Sequence, residues 1–380
     1  MGAYGNTRRD FLKAVALGAT VTGSALSDMA EKEEKQAVGG DFFIRPEELA
    51  LKFRHEKGLR RLSFCNFDGP AEAWRSACRE KLAELLGFSR PSPCPARLFR
   101  STEHEGVTIE AWVMKVSESL SIPAYLLSPK SVRSPTKAVM AIHGHGQVEA
   151  CVWPREDYHH AFALELAKAG HLVLCPALRG FGPLANMAFG DKDRCLDYWR
   201  SVRGRQFTLI SDALLYGKTL LGQTVEDLLR WQVWLSTTRG IKSFDVVGIS
   251  YGGDLALTYP VFSDRVRKIY ASGTLGSFSV IFSRCYNAPA HCIGGVLNWM
   301  DRSDIAGLNA PRPIRLHYGE RDVPGPHNNS ASYNETVEPS LAELRVIYKV
   351  FDAEEQISLS VTRDRWHEMD NEDLQAFLAN

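Results

Sequence analysis

The sequence predicts an α/β fold in which a mostly parallel, twisted sheet carries helices on both faces. Short apolar runs of strand length recur along the chain at 138–142, 172–174, 244–249 and 314–318. Stretches with helical character stand between or after them, at 158–169, 211–237, 254–259 and 371–378. Polar or glycine-containing turns follow the strand-like runs directly, and functional sites of open parallel sheets gather at the carboxyl ends of the strands.

A helical extension is predicted ahead of the α/β part, over residues 42–97. Within it, Phe42–Phe88 has helical character, and the Pro-rich stretch Pro91–Pro95 ends the helix. Residues 28–41, with a Glu-Lys-Glu-Glu-Lys run, are expected to be a solvated linker. The α/β domain is then expected to occupy residues 98–380.

Within that domain, Val107–Val116 and Ile122–Leu127 alternate like the antiparallel strands that begin such a sheet. One long helix, Ser211–Thr237, is predicted to pack on the sheet just before the run 244–249. Its apolar face would consist of Leu214, Leu221, Val225, Leu228, Gln232 and Leu235. The segment Gly273–Met300 is rich in Gly, Ser and aromatic residues and is the predicted lid or acyl-pocket segment.

The most informative stretch is Gly248-Ile249-Ser250-Tyr251-Gly252-Gly253, which follows an apolar run and opens a helix of small residues, Asp254–Tyr259. A serine between a strand and a helix sits on a sharp turn, and glycines two residues before and after it let the neighbouring backbones approach. The Ser250 hydroxyl is therefore expected to be presented and not buried. Because the pattern fixes only three positions, other parts of the chain must distinguish a nucleophile elbow from a glycine-rich turn.

Three other places carry the groups that a serine nucleophile needs, in the chain order nucleophile, acid, histidine. The run 138–142 ends in His143-Gly144-His145-Gly146, a glycine-rich loop that can supply a backbone N–H to an oxyanion. Asp322 lies in the turn after the run 314–318 and is the predicted acid. His367, in the loop Trp366-His367-Glu368 ahead of the terminal helix, is the predicted base.

Together these motifs make the chain resemble the alpha/beta-hydrolases, most of all the bacterial serine esterases grouped around acetyl xylan esterases and dienelactone-hydrolase-like proteins. The resemblance covers roughly residues 98–380. It includes 176–182, Pro-Ala-Leu-Arg-Gly-Phe-Gly, which is similar to the Arg-Gly turn after the fourth strand of that family. The resemblance implies a triad of Ser250, His367 and Asp322 that needs no metal or organic cofactor.

In this chemistry the serine hydroxyl is a poor nucleophile at neutral pH, so His367 must take its proton as it attacks the substrate carbonyl. Asp322 fixes the tautomer of that histidine and stabilises the imidazolium. The backbone N–H groups of Tyr251 and His145 are the predicted oxyanion donors, and each such donor contributes about 3 kcal/mol to lowering the barrier.

Other residues compete for these roles. Glu320 is the alternative acid, and His327 is the alternative base. His291 and His317 are less well placed than His367. Arg179 either lines the pocket and touches substrate or braces loops from a buried position.

The remaining histidines have plainer explanations. His143 and His145 have a spacing that would put both rings on one face of a strand, as metal ligands require. A glycine follows each of them, and no Cys or carboxylate with ligand spacing adjoins, so a metal site is disfavoured. His159 and His160, at the start of the helical stretch 158–169, are expected to be surface or capping groups.

The N-terminus resembles a twin-arginine export signal. Thr7-Arg8-Arg9-Asp10-Phe11-Leu12-Lys13 precedes a mildly apolar run, 14–26, that is too short and too rich in Gly, Thr and Ser to span a bilayer stably. Cleavage after Ala25-Leu26-Ser27 would give a signal peptide of residues 1–27. The resemblance implies that the twin-arginine export machinery carries the folded protein to the periplasm or the outside of a bacterium or archaeon.

Composition agrees with an ordinary soluble enzyme, with 44% hydrophobic and 24% charged residues. Lys+Arg and Asp+Glu are balanced at 45 each, which argues against nucleic acid or an anionic membrane as the partner. The 8 cysteines show neither a Cys-x-x-Cys pair nor a dense scaffold pattern, so most are expected to be small buried hydrophobes. Cys285 and Cys292 are close enough in sequence to form a bridge after export, but geometry decides that.

The leading interpretation is therefore an exported serine esterase that releases acetyl or other acyl groups from a carbohydrate. A peptidase of prolyl oligopeptidase type is an alternative, because Gly-x-Ser-Tyr-Gly-Gly also resembles that catalytic domain, although the chain has no room for the propeller that gates those enzymes. A catalytically inactive hydrolase fold used as a binding module is the remaining class.

Overall fold

The computed structural model describes residues 60–131, 135–185, 202–280, 289–322 and 336–379. The predicted signal peptide and linker lie outside these residues, as do the alternative base His327 and one partner of the suggested disulfide, Cys285. Cys292 is a free thiol.

One sheet of 9 strands organises the fold, in the order β1-β2-β3-β5-β4-β6-β7-β8-β9. The strands β5, β4, β6, β7, β8 and β9 run parallel, whereas β1, β2 and β3 join the sheet in antiparallel fashion. The predicted mostly parallel α/β sheet is confirmed. The strands are β1 Ala96–His104, β2 Val107–Lys115, β3 Ser121–Pro129, β4 Lys137–Ile142, β5 Val173–Pro176, β6 Ser243–Ile249, β7 Val266–Ser272, β8 Ile314–Gly319 and β9 Ile357–Thr362.

Helices connect most of the strands. They are α1 Ala71–Leu86, α2 Glu149–Val152, α3 Phe162–Lys168, α4 Val202–Leu215, α5 Leu220–Arg239, α6 Tyr251–Thr258, α7 Arg302–Gly307, α8 Val337–Val350 and α9 Asn371–Ala379. In the part of the chain that the structure describes, no helix is both long enough and apolar enough to cross a bilayer.

The core lies on both faces of the sheet, as β4 illustrates. Ala138, Met140 and Ile142 pack into one apolar cluster with residues of α1, α5, α7 and α8. Val139 and Ala141 point to the opposite face, into a second cluster with residues of α2, α3 and α9. A strand covered on both faces must be apolar at every position, which explains its uninterrupted apolar sequence.

The predicted single helix over 211–237 is wrong, because the chain forms α4 and α5 with a break between them. Gly217 adopts a left-handed φ of +64° at the break. Thr219 then caps α5 by accepting a hydrogen bond from the N–H of Gly222 at 2.9 Å. Leu214, expected on the buried face, belongs to α4 and is 52% exposed, whereas Leu221 and Leu235 on α5 are buried as predicted.

The predicted helix over 42–88 holds, among the described residues, for 71–86. Pro70 precedes α1, and Gly87 ends it with a left-handed φ of 61°, while 60–70 contains only a short 3-10 turn. The strand β1 begins at Ala96, inside the stretch predicted to be a helical extension. It was missed because it is an edge strand with mostly exposed side chains, so its sequence lacks the apolar alternation of a half-buried strand.

Candidate active site

Ser250 lies at the sharp turn between β6 and α6. Its backbone has φ 59° and ψ −123°, a region that a residue other than glycine occupies only when its surroundings enforce it. Its N–H donates to the carbonyl of Ser272 at the end of β7, at 2.8 Å. Its own carbonyl accepts from the N–H groups of Gly253 and Asp254, at 2.9 and 3.2 Å. The turn is thus held from both sides in the geometry of a nucleophile elbow.

Two glycines leave the room that this turn requires. A Cβ on Gly248 would lie 2.0 Å from the carbonyl oxygen of Gly252. A Cβ on Gly252 would lie 2.2 Å from the carbonyl oxygen of Ile142 at the end of β4. Neither distance is possible for a side chain, so the first turn of α6 reaches β6 and β4 only because both positions are glycine.

The predicted acid and base are hydrogen-bonded to each other. His367 Nδ1 lies 2.8 Å from Asp322 Oδ2, and the Asp322 side chain is 2% exposed. Burial acts to lower the pKa of His367, but the charge and hydrogen bond of Asp322 outweigh it and hold that pKa above its usual value. A carboxylate in this position also fixes the proton on Nδ1, which leaves Nε2 as the proton acceptor.

Gly273, the residue after β7, forms the floor beneath this pair. A Cβ there would lie 2.5 Å from His367 Cε1, 2.7 Å from its Nδ1 and 3.2 Å from Asp322 Oδ2. Its φ of +63° also favours glycine. No sequence motif identified Gly273, and its one signal is a glycine directly after the end of a parallel strand.

The loops that carry the acid and the base are fastened to each other. The N–H of Arg321 donates to the carbonyl of Arg365 at 2.8 Å, and the N–H of Glu320 donates to the carbonyl of Thr362 at 2.9 Å. These bonds continue the pairing of β8 with β9 beyond the strands. The neighbouring strand ends therefore bring Asp322 and His367 together although 45 residues separate them.

The loop after β4 is braced by His143, whose two ring nitrogens both bind backbone. Nδ1 donates to the carbonyl of Gly144 at 2.7 Å, and Nε2 accepts from the N–H of Leu178 at 3.2 Å. Burial, helped by the nearby His159, lowers the pKa of His143 to about 3. The ring is thus a neutral structural group.

His159 braces the same loop from the other side, so its prediction as a surface or capping group is wrong. The ring is buried, accepts from the N–H of Gly144 at 2.9 Å through Nε2, and donates to the Asp157 carboxylate through Nδ1. Apolar packing of α3 against the sheet draws this turn inward. His160, in contrast, is exposed as predicted and pairs with Glu368.

Tyr158 joins the separate parts of the site, and no sequence motif identified it. Its hydroxyl donates to the carbonyl of His145 at 2.7 Å and lies near Ser250, because a Cβ on Gly144 would be 2.3 Å from that hydroxyl and 3.0 Å from Cβ of Ser250. Its ring stacks on the His367 ring, with centroids 5.7 Å apart and 29° between the planes. Ser250, the loop after β4 and His367 therefore meet at one phenol.

The predicted oxyanion donors belong to residues that lie side by side, with the His145 and Tyr251 rings 6.3 Å apart. Tyr251 is the first residue of α6, and the first N–H groups of a helix have no partner within it. Burial and the neighbouring His291 and His367 hold the pKa of His145 well below its usual value. Its ring is therefore neutral at physiological pH.

Solved structures with this architecture are similar to the chain. That of a "putative acetyl xylan esterase" from Bacteroides fragilis aligns with a TM-score of 0.62 at 16% identity, covering 85% of this chain and 83% of that chain. Acetyl xylan esterase 1 from Thermoanaerobacterium aligns at 0.53 and 16%, covering 82% and 98%. A glucuronoyl esterase from Solibacter usitatus aligns at 0.56 and 11%, covering 85% and 96%. The chain has the alpha/beta-hydrolase fold.

Sequence comparison is consistent with this alpha/beta-hydrolase fold. "Putative hydrolase YtaP" of Bacillus subtilis (strain 168) is 23% identical over 262 residues, which are 65% of this chain and 81% of that protein. No family model matches the chain. The predicted fold is confirmed, and identity at this level leaves the reaction to be inferred from the site.

The alternative acid Glu320 and the less well placed histidine His317 are occupied elsewhere in this hydrolase fold. Glu320 is exposed, and its carboxylate accepts from the N–H of Asp364 at 3.0 Å. His317 is buried within β8, with Nδ1 2.9 Å from the Ser272 hydroxyl and Nε2 3.0 Å from that of Thr362. Both of its ring nitrogens therefore bond to side chains of the neighbouring strands β7 and β9.

Arg179 ties the loop after β5 to the helix α5, which agrees with the bracing role among its two predicted roles. Its guanidinium binds Asp227 in a bidentate manner, with Nε 2.6 Å from Oδ2 and Nη2 3.0 Å from Oδ1. His291 is likewise engaged by a buried carboxylate, that of Asp254, which also binds Arg302 at 2.7 Å.

Proposed function

We propose that the protein is a serine esterase that removes an acyl group, acetyl foremost, from a carbohydrate, using Ser250, His367 and Asp322. One observation carries the proposal. The strained elbow serine follows β6, and the hydrogen-bonded His367–Asp322 pair lies beyond the ends of β8 and β9, so all three residues are at the carboxyl ends of parallel strands. Sites of open α/β sheets form at this edge.

In the proposed reaction the Ser250 hydroxyl attacks the ester carbonyl while Nε2 of His367 takes its proton. Asp322 keeps the other ring proton on Nδ1 and stabilises the imidazolium that forms. The tetrahedral intermediate collapses when His367 returns the proton to the alcohol oxygen, which leaves with it. Water then attacks the acyl-enzyme along the same route, and the acid and free Ser250 result.

The oxyanion would be bound by the backbone N–H groups of Tyr251 and His145. The N–H of Tyr251 suits this role because it lies at the start of α6, where the helix dipole also favours negative charge. The second belongs to a loop that His143 and His159 fix from opposite sides. A donor held rigidly before the reaction needs no reorganisation when charge develops.

Carbohydrate esters are the proposed substrates because the aligned structures include acetyl xylan esterases and a glucuronoyl esterase by name. Both activities cleave an ester on a sugar. The proposal places the scissile ester of this protein in the same class, and acetyl is the smallest acyl group that it would release.

The decisive experiment uses the full chain with 4-nitrophenyl acetate, beside Ser250→Ala and the matched control Ser211→Ala. Ser211 is an exposed serine whose hydroxyl bonds to the carbonyl of Phe207 on α4. Hydrolysis is expected in the wild type and in Ser211→Ala, with a loss of at least about 10⁴-fold in Ser250→Ala. Equal rates in all three proteins would refute the serine esterase.

A substrate panel then tests the class of ester. Acetylated xylo-oligosaccharides, a glucuronate methyl ester and an aminoacyl 4-nitroanilide would be compared by kcat/KM. Release of acetate from the first supports the proposal. Preference for the anilide would establish a peptidase, and no turnover of any compound by a folded protein would indicate a binding module.

Export by the twin-arginine route is a separate part of the proposal, and it rests on the sequence Arg8-Arg9 with its apolar run. Replacing both arginines by lysine in the full chain should retain the protein in the cytosol of a host with this pathway. Export of the double variant at the wild-type level would contradict the proposed route. The esterase assignment would stand in either case.

A further inference from the structure

The Tyr158 hydroxyl lies between two parts of the site. The phenol has one proton, which it donates to the carbonyl of His145 at 2.7 Å. The same oxygen lies near the nucleophile Ser250, on the other side of the space that Gly144 leaves open. Burial, with the nearby Cys151 and Asp157, raises the pKa of Tyr158 well above its usual value, so the phenol keeps its proton and remains a donor.

The ring of Tyr158 and its backbone reach the third part, the loop of the predicted base. The ring stacks on that of His367, and it lies tilted against the ring of its chain neighbour His159 at a centroid distance of 4.0 Å. Its carbonyl accepts from the N–H of Met369 at 2.8 Å, two residues beyond His367. The same residue is thus fastened to the segment that carries the histidine.

Gly144 leaves the space in which these contacts form. A Cβ at that position would lie 2.3 Å from the Tyr158 hydroxyl oxygen and 3.0 Å from Cβ of Ser250. The second residue of the His-Gly-His-Gly loop therefore allows the phenol to reach the nucleophile. This contact gives Gly144 a role besides flexibility of the loop.

We propose that Tyr158 is a positioning residue, which rests on the esterase function proposed above. Its hydroxyl orients Ser250 and anchors the His145 loop, and its ring orients His367. Misplacement of reacting groups by about 1 Å costs about 10²-fold in rate, so a residue that fixes all three should act on kcat. Substrate binding should be affected little, because the contacts of Tyr158 are to the enzyme's own groups.

The test compares Tyr158→Phe with Tyr125→Phe, using kcat per active site titrated with a fluorophosphonate. Tyr125 is the matched control, a half-buried tyrosine whose hydroxyl bonds to Glu149 at 3.1 Å away from the predicted triad. Tyr158→Phe is expected to lower kcat per site by about 10- to 100-fold with KM within about twofold. Tyr125→Phe should stay within about twofold in both.

A second variant, Tyr158→Leu, also removes the ring. An aromatic face stabilises an imidazolium, so the acid limb of the kcat/KM profile should move to lower pH in this variant and stay in place in Tyr158→Phe. Unchanged kcat per titrated site in Tyr158→Phe would overturn the inference, as would an unmoved acid limb in Tyr158→Leu. Failure of the esterase proposal would look different, because the wild type itself would then hydrolyse no ester.

Discussion

Gly273→Ala tests the geometry of the predicted acid and base most directly. The added Cβ would lie 2.5 Å from His367 Cε1, and carbon atoms in contact are about 3.5–4.0 Å apart. The imidazole would therefore have to move by about 1 Å or more from the position in which it bonds to Asp322 Oδ2. A displacement of that size costs about 10²-fold in rate, so kcat/KM should fall by about that factor.

The backbone conformation of Gly273 adds a cost in stability, which can be measured separately from the loss of activity. Alanine at the left-handed φ of +63° is destabilising by about 1–2 kcal/mol. Gly240→Ala is the matched control, because Gly240 has φ +70° with no atom within 4 Å of its Cβ position. In urea denaturation Gly240→Ala should lose this backbone contribution, and Gly273→Ala should lose at least as much because its Cβ also meets His367. The loss in 4-nitrophenyl acetate hydrolysis should occur in Gly273→Ala alone, and full activity of folded Gly273→Ala would refute the reasoning.

Three further perturbations have defined outcomes. Asp322→Asn should lower kcat by about 10⁴-fold, and the acid limb of its residual pH profile should move to lower pH, since burial alone lowers the pKa of His367. His143, with a folded pKa of about 3, binds a proton only on unfolding, so the free energy of unfolding should fall between about pH 6.5 and 3 by up to about 1.4 kcal/mol per pH unit. In urea titrations, the free energy of unfolding of His143→Gln should depend less steeply on pH than that of the wild type. Trp74→Ala should cost about 3–5 kcal/mol in the same denaturation experiment, because this α1 side chain is fully buried; a loss below about 1 kcal/mol would show that α1 is dispensable.

The fold was predictable where burial constrains the sequence on both faces of a strand. The strand β4 follows an uninterrupted apolar run and β6 a run broken only by Asp245, and the positions of both match the predictions within one or two residues. The edge strand β1 was not predictable in this way, because its exposed side chains are under no such constraint. The break between α4 and α5 depends on Gly217 and Thr219, which also occur within helices, so composition alone did not reveal it.

The candidate site residues also differ in whether the sequence alone could predict them. Ser250, Asp322 and His367 were predicted from short motifs at strand ends, which are local in sequence. The structure brings Asp322 and His367 into contact, and it gives Ser250 an elbow. Gly273 and Tyr158 belong to no motif, because their roles depend on contacts with residues far away in the chain.

His159 and Asp157 form a histidine–aspartate pair near that of His367 and Asp322, and its chemistry shows why such a pair does not by itself define a base. His159 bonds to Asp157 through Nδ1, as His367 bonds to Asp322, yet burial keeps the pKa of His159 below its usual value. Arg155, 4.0 Å from the Asp157 carboxylate, opposes a charge on His159.

The hydrogen bonding of Nε2 is a further difference between His159 and His367. Nε2 of His159 already accepts the N–H of Gly144, so protonation there would replace a hydrogen bond by a repulsive contact between two donors. The Asp322 side chain is 2% exposed, so water screens its charge little, whereas that of Asp157 is 24% exposed. The same residue pair therefore braces the loop after β4 in one setting and favours an imidazolium in the other, which is the property that a general base at Ser250 requires.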